Sequence, residues 1–132
     1  MTWTATALGS GRFSAVERCS GVREWADHFN ELRSRGGGYL EVRLSGSAFP
    51  LMTLGFQGDQ AVIHLFEDAD KSTLLVGDGI AAAADAVVHV PIMDDRAAFS
   101  GDFVMTADRA WATLRAFIQA GAPGVLGARC EL

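Results

Sequence analysis

Residues 51–66, LMTLGFQGDQAVIHLF, decide the fold of this 132-residue chain. Two apolar segments, 51–56 and 61–66, flank a short polar turn that contains Gly58 and Asp59. Short runs rich in apolar and β-branched residues on either side of a turn predict two strands joined as a hairpin. We therefore expect an antiparallel pair at the centre of the domain.

Further strands are expected on both sides of this hairpin. Residues 39–44, YLEVRL, alternate polar and apolar side chains with the period of a half-buried strand. The segment 72–77, STLLVG, predicts another short strand, and 87–92, VVHVPI, predicts one that ends near Pro91. A last strand is expected over 125–131.

Two other segments are less regular. Residues 79–86, GIAAAADA, are small and apolar enough for either a short helix or a close-packed connection, and the sequence leaves both open. Residues 93–104, MDDRAAFSGDFV, predict a loop that leads to a short extended piece.

Two helices are expected, one early and one late. In residues 22–35 the apolar side chains recur at the spacing of one helical face; Ser20 can cap this helix, and the glycines at 36–38 can end it. The second helix is expected over 107–120, with Thr106 as its cap, Asp108 in its first turn and Gly121 past its end. The elements predict a single α+β domain, residues 1–132, with an antiparallel sheet of about five to six strands and an early and a late helix packed on one face.

Charge is unevenly distributed along the chain. The total is −5, but residues 57–102 contain nine acidic and two basic residues, a local net charge of −7. Nucleic-acid binding needs clustered Lys and Arg, so we expect no direct nucleic-acid partner, and a basic protein partner fits better. The N-terminus lacks the features of a signal peptide, and no segment is long enough to span a bilayer, so we expect no membrane association.

The candidate chemical sites are weak. Asp68, Asp70 and Ser72 copy the start of a calcium-binding loop, but Thr73 stands where such a loop needs glycine and Gly79 where it needs glutamate. His64 and His89 are expected to be core or cross-strand residues, because the spacing of a zinc motif is absent. The glycine runs at 36–38 and 77–79 match no phosphate-binding motif. We expect no metal and no cofactor.

An enzymatic role is also unsupported by the pattern of residues. Asp94, Asp95 and His89 are the nearest candidates for an acid/base set, but adjacent carboxylates on regular structure point apart. Cys19 and Cys130 are expected to be reduced thiols in a chain without an export signal. We expect this protein not to be an enzyme.

Several motifs occur in an order that resembles a known family. They are GGYLEVRL, FPLMTLGFQGDQAVIHLF, LLVGDG, VPIMDD and GDFVMTADRAWATLRAFIQAG. From about Gly37 onward the chain resembles the first-numbered immunity protein family of bacterial polymorphic toxin systems, an α+β family typical of actinobacteria. One departure is Cys130, which stands where that family usually has an aromatic residue before the glutamate of the last strand.

The resemblance implies a cytoplasmic, non-enzymatic protein that binds and neutralises a secreted toxin domain, commonly a nucleic-acid (cytosine) deaminase. It also implies fold-defining roles for the following residues: Tyr39, Pro50, Gly77, Gly79, Pro91, Phe103, Trp111 and Glu131. The alternative is a small non-enzymatic regulatory or scaffold domain that binds another protein.

The acidic middle of the chain supplies a hypothesis for the contact surface. A toxin that acts on nucleic acid needs a basic surface, which acidic side chains of an inhibitor would complement. The hypothetical toxin-binding residues are Asp59, Glu67, Asp68, Asp70, Asp78, Asp94, Asp95 and Asp102. The competing interpretation is that these carboxylates are only solvated surface.

Overall fold

The computed structural model describes residues 1–44 and 48–120, together with the backbone of 129–131. In chain order the elements are β1 (Thr2–Thr6), β2 (Phe13–Cys19), α1 (Val22–Ser34), β3 (Gly37–Arg43), β4 (Leu51–Gln57), β5 (Gln60–Phe66), β6 (Ser72–Leu75), β7 (Val87–Ile92), β8 (Asp95–Ser100), α2 (Ala107–Ala120) and β9 (Arg129–Glu131). A 3-10 turn at Gly101–Phe103 lies between β8 and α2.

One antiparallel sheet organises the domain, in the order β2-β1-β3-β4-β5-β6-β9. The predicted hairpin is confirmed: β4 and β5 pair antiparallel, with Leu54 opposite Ile63 and Gln57 opposite Gln60. Six strands come from residues 2–75, and the short β9 adds a seventh on β6. The predicted α+β class is therefore confirmed, with a larger sheet than expected.

The two faces of the sheet carry different layers. Alternate residues of β3, β4 and β5, such as Leu40, Met52 and Ile63, pack against α1 and α2 in the main core. Intervening residues such as Val62 face the β7–β8 hairpin, which covers part of the opposite face with Val90. Because side chains alternate along a strand, the central strands are covered on both sides.

The helix boundaries follow the predictions closely, and one of the predicted caps is wrong. α1 begins after Gly21, which supplies no side-chain cap. Ser20 instead accepts a hydrogen bond from Nε1 of Trp3 at 2.9 Å. At α2 the prediction is confirmed, because the Arg109 N–H donates to Oγ1 of Thr106 at 3.2 Å.

Three strands had no predicted counterpart. β1 and β2 lie in a segment to which no structure was assigned, and Trp3, on β1, is 1% exposed. β8 falls in the predicted loop 93–104 and pairs with β7. The open segment 79–86 forms turns and bends with no helix, so it is a connection.

Some predictions lie outside the described residues. These are Gly121 as the residue past α2, the start of the last strand at 125–128, and the side chains of Cys130 and Glu131. The backbone of β9 shows that Glu131 pairs opposite Thr73.

Candidate functional site

Two of the hypothetical toxin-binding carboxylates lie at the N-terminus of α2. Asp59, in the β4–β5 turn, accepts a hydrogen bond from the Ala107 N–H at 3.1 Å. Asp78 accepts one from the Thr106 N–H at 3.0 Å. The first N–H groups of a helix have no partner within the helix and favour negative charge nearby. Both carboxylates therefore have a structural role at this helix end.

Asp78 also organises the turn that follows β6. Its Oδ1 accepts hydrogen bonds from the N–H groups of Ile80 at 2.9 Å and Ala81 at 3.2 Å. Partial burial alone would raise the pKa of this carboxyl, but the backbone donors of Thr106, Ile80 and Ala81, with the nearby charge of Arg109, together lower the pKa below its ordinary value. The Asp78 carboxylate is thus held in its ionised form.

Glu67, Asp68 and Asp70 lie in the β5–β6 turn, which we call the acidic turn (residues 67–71). Glu67 pairs with Nζ of Lys71 at 3.0 Å, and Oδ1 of Asp68 accepts a hydrogen bond from the Asp70 N–H at 2.8 Å. Asp68 and Asp70 are exposed. β5 separates this turn from Asp59 by seven residues, roughly 20 Å.

Asp94 and Asp95 lie at the tip of the β7–β8 hairpin. Asp94 accepts a hydrogen bond from the Phe13 N–H at 2.7 Å, which ties the hairpin to β2. Both residues line a cleft of about 610 Å³ together with arginines that include Arg12 and Arg96. The surroundings of this pair are therefore of mixed charge.

Asp102 lies in the 3-10 turn after β8 and is exposed. Its carbonyl oxygen accepts a hydrogen bond from the Gly77 N–H at 2.7 Å. The eight carboxylates consequently do not form one continuous acidic patch. They divide between the start of α2, the acidic turn, the hairpin tip and the 3-10 turn.

The two glycines expected to define the fold have clear backbone requirements. A Cβ on Gly77 would lie 2.0 Å from the carbonyl oxygen of Val104, so only glycine fits this close approach. Gly79 has a φ of +72°, in the left-handed region that favours glycine.

The described prolines and aromatic residues with expected fold-defining roles are packed to different degrees. Pro50 follows a cis peptide bond, and the carbonyl oxygen of Pro91 lies against Gly55 on β4. Phe103 is half-buried against the cluster beneath the hairpin. Trp111 is also half-buried.

Trp111 joins the two helices through aromatic contacts. Its ring centroid lies 4.2 Å from that of Trp25 and 4.4 Å from that of Phe29, and the contact with Phe29 is stacked. Both partners belong to α1 and are buried. Trp111 therefore packs at the edge of the main core.

Tyr39 belongs to a polar network on the hairpin side of the sheet. Its hydroxyl donates to Oε2 of Glu41 at 2.6 Å, and Oε1 of Glu41 accepts a hydrogen bond from Thr4 at 3.1 Å. Burial, reinforced by the Glu41 hydrogen bond and charge, raises the pKa of Tyr39 well above its ordinary value. The sequence patterns did not reveal this network, because they assigned no strand to Thr4.

The histidines occupy three different environments. His28 is buried, and its Nε2–H donates to the carbonyl oxygen of Thr6 at 2.8 Å. Burial lowers the pKa of His28 and of the half-buried His64. His89 is exposed on β7 opposite Ala98 of β8, so of the two expected positions it occupies the cross-strand one and not a core one. Within residues 1–44 and 48–120, no three metal-binding side chains come together.

The two cysteines lie on strands at opposite edges of the sheet. Cys19 is exposed on β2, and Cys130 belongs to β9. Five strands stand between them, and neighbouring strands are about 4.8 Å apart. This separation far exceeds the roughly 7 Å limit between the Cα atoms of a disulfide.

The described surface also carries aliphatic side chains that no sequence motif marked. Ile80 is 81% exposed, Val16 is 71% exposed and Val87 is 67% exposed. Ile80 lies in the alanine-rich segment 79–86. The sequence signal for this surface was composition, because the segment contains no Lys or Arg and has acidic residues around Ile80.

No protein-family model matches the chain, and no curated protein matches it. Among the described residues, neither helix has the length and apolar character needed to cross a membrane.

Proposed function

We propose that this chain is an immunity protein that binds a cognate toxin domain in the cytoplasm of the producing bacterium and neutralises it by occlusion. The favoured toxin class is a nucleic-acid deaminase, as the resemblance in the motifs from Gly37 onward implies. The protein itself carries out no reaction. The observation that carries the proposal is the exposed acidic turn within a segment, 57–102, of net charge −7.

The electrostatic step follows from the substrate of such a toxin. An enzyme that binds DNA or RNA presents Lys and Arg around its active site. Exposed carboxylates on an inhibitor accelerate encounter with that basic surface and orient the two proteins. The acidic turn supports this role, because Asp68 and Asp70 extend from the end of the sheet into solvent.

Structural roles narrow the set of carboxylates available to a partner. Asp59 and Asp78 accept hydrogen bonds at the start of α2, and Asp94 accepts one from β2. The charges of these three carboxylates still contribute to the electrostatic field of the protein, but replacement of any of them would also disturb the fold. Asp68 and Asp70 offer a cleaner test.

The proposal expects a toxin gene next to the gene of this chain, and the test measures association with the toxin domain encoded there, as a function of ionic strength. The double variant Asp68→Asn and Asp70→Asn should associate about three- to tenfold more slowly at low salt, with a flatter salt dependence, because ions screen exposed charges. A matched control is Glu24→Gln with Asp27→Asn on α1, where two exposed carboxylates are also neutralised. Glu67 is left unchanged because it pairs with Lys71.

The outcomes separate the proposal from its competitors. Wild-type protein that neither binds nor inhibits the toxin domain would refute the immunity function and favour a regulatory or scaffold role. Binding with equal rates and salt slopes for wild type and both variants would refute the role of the acidic turn.

A further inference from the structure

The connection between β6 and β7 presents aliphatic side chains to solvent. Ile80 is 81% exposed and Val87, at the start of β7, is 67% exposed. Single exposed aliphatic residues are common on protein surfaces and need no explanation. What distinguishes these two is the backbone that holds them and the charge around them.

The backbone of this connection is fixed at its start by its own Asp78 and by a side chain from β5. Asp78 accepts hydrogen bonds from the N–H groups of Ile80 and Ala81. Nε2 of Gln60, on β5, donates to the carbonyl oxygen of Ala81 at 3.2 Å. Ile80 therefore projects from a held turn.

The end of the connection is fixed in the same way. Oγ of Ser100 donates to the carbonyl oxygen of Ala84 at 3.0 Å, and the Gly101 N–H donates to that of Ala86 at 2.8 Å. A Cβ on Gly101 would lie 1.7 Å from the carbonyl oxygen of Ala83, which shows how closely the segments pack. A surface that is already ordered loses less conformational entropy when a partner binds.

The charged side chains carried by this connection are acidic. Residues 76–92 contain Asp78 and Asp85 and no Lys or Arg. Asp85 within the connection and Asp102 beside it are exposed. Arg109, on α2, lies close enough for its charge to act on Asp78. The aliphatic side chains thus lie within an acidic margin.

We propose that this connection is the docking surface for the basic face of the toxin domain, with Ile80 as its apolar anchor. We name it the alanine-loop surface, defined by Ile80, Ala83, Ala84 and Val87, with Asp85 and Asp102 at its margin. The inference rests on the proposed function and adds the contact surface. Binding energy at interfaces concentrates in a few central side chains, while charges at the margin set encounter rate and selectivity.

The first experiment uses the full chain and the toxin domain encoded by the adjacent gene. Ile80→Ser should increase the dissociation rate of the complex at least about tenfold and leave the association rate nearly unchanged. Val16→Ser is the matched control, because Val16 is similarly exposed on β2, and four strands stand between β2 and β6. Thermal unfolding of each variant without toxin should match wild type, because both side chains lie mainly in solvent.

The second experiment addresses the acidic margin. Asp85→Asn with Asp102→Asn should slow association and reduce its salt dependence, with little change in dissociation. If the wild type fails to bind the toxin domain, both the proposed function and this surface are wrong. If the wild type neutralises the toxin and Ile80→Ser dissociates at the wild-type rate, the function stands and the surface is wrong. Equal acceleration by Ile80→Ser and Val16→Ser would also refute the surface.

Discussion

Replacement of Asp78 by alanine tests whether this carboxylate has the structural role that its contacts indicate. The change removes the acceptor for one N–H group at the start of α2 and for two in the following turn. Loss of a helix cap costs about 1 kcal/mol. The two turn contacts add about 1 kcal/mol, a discounted value because water can replace part of them at this half-exposed site.

The expected loss is therefore about 2 kcal/mol in the free energy of unfolding. Unfolding entropy near 60 °C scales to about 0.28 kcal/mol/K for a chain of this length, so Tm should fall by about 7 °C. Asp70→Ala is the control, because no described residue donates a hydrogen bond to the Asp70 carboxylate. Its Tm should change by less than about 2 °C, since isolated surface substitutions have small effects.

The pH dependence gives a second, independent readout. The folded-state pKa of Asp78 is below its ordinary value near 4. The contribution of the ionised Asp78 carboxylate to the free energy of unfolding is therefore fully present above about pH 4. It is lost as the pH falls through the lower folded-state pKa. The Tm difference between wild type and Asp78→Ala, measured by circular dichroism, should stay constant from pH 7 to about 5 and narrow below about pH 4. Equal Tm values at pH 7, or a gap that does not narrow in acid, would refute the reasoning.

Two further predictions concern the core. Trp111→Ala should lower the free energy of unfolding, measured by denaturant titration, by about 2–3 kcal/mol, because it removes a half-buried ring stacked on α1. Arg115→Ala on the same helix is the exposed control. Equal effects of the two variants would contradict the packing role of Trp111. His28 has a lowered folded-state pKa, so its protonation favours the unfolded chain, and wild-type stability should fall as pH decreases below about 6.5. His28→Gln should flatten that decline, while His64 retains part of it. A pH slope that His28→Gln leaves unchanged would show that His28 is not responsible.

The parts of the fold that the sequence predicted are those with strong local patterns. The β4–β5 hairpin follows from two uninterrupted apolar runs around one turn, and α2 from a regular apolar face behind Thr106. β1 was not predicted because threonine alternates along its sequence, TWTAT, and a polar residue such as threonine suggests exposure. Thr2, Thr4 and Thr6 are in fact buried. Thr4 and Thr6 make hydrogen bonds to the neighbouring β3, which only the pairing of distant segments creates.

The candidate site was less predictable for the same reason. Asp59 lies 48 positions before its donor Ala107, and Asp78 lies 28 positions before its donor Thr106. No local pattern distinguishes such carboxylates from exposed ones such as Asp70. The exposure of Ile80 likewise depends on contacts with β5 and the end of β8, so the composition of 79–86 alone left its structure open.

The most direct test of the central claim is survival of a bacterial host that produces the toxin domain from the adjacent gene, with and without this chain. The account predicts that growth is lost with the toxin domain alone, is restored by co-expression of the full chain, and that the two proteins purify as a stable complex. Loss of growth that persists while the folded chain accumulates at a level above the toxin domain would contradict the account.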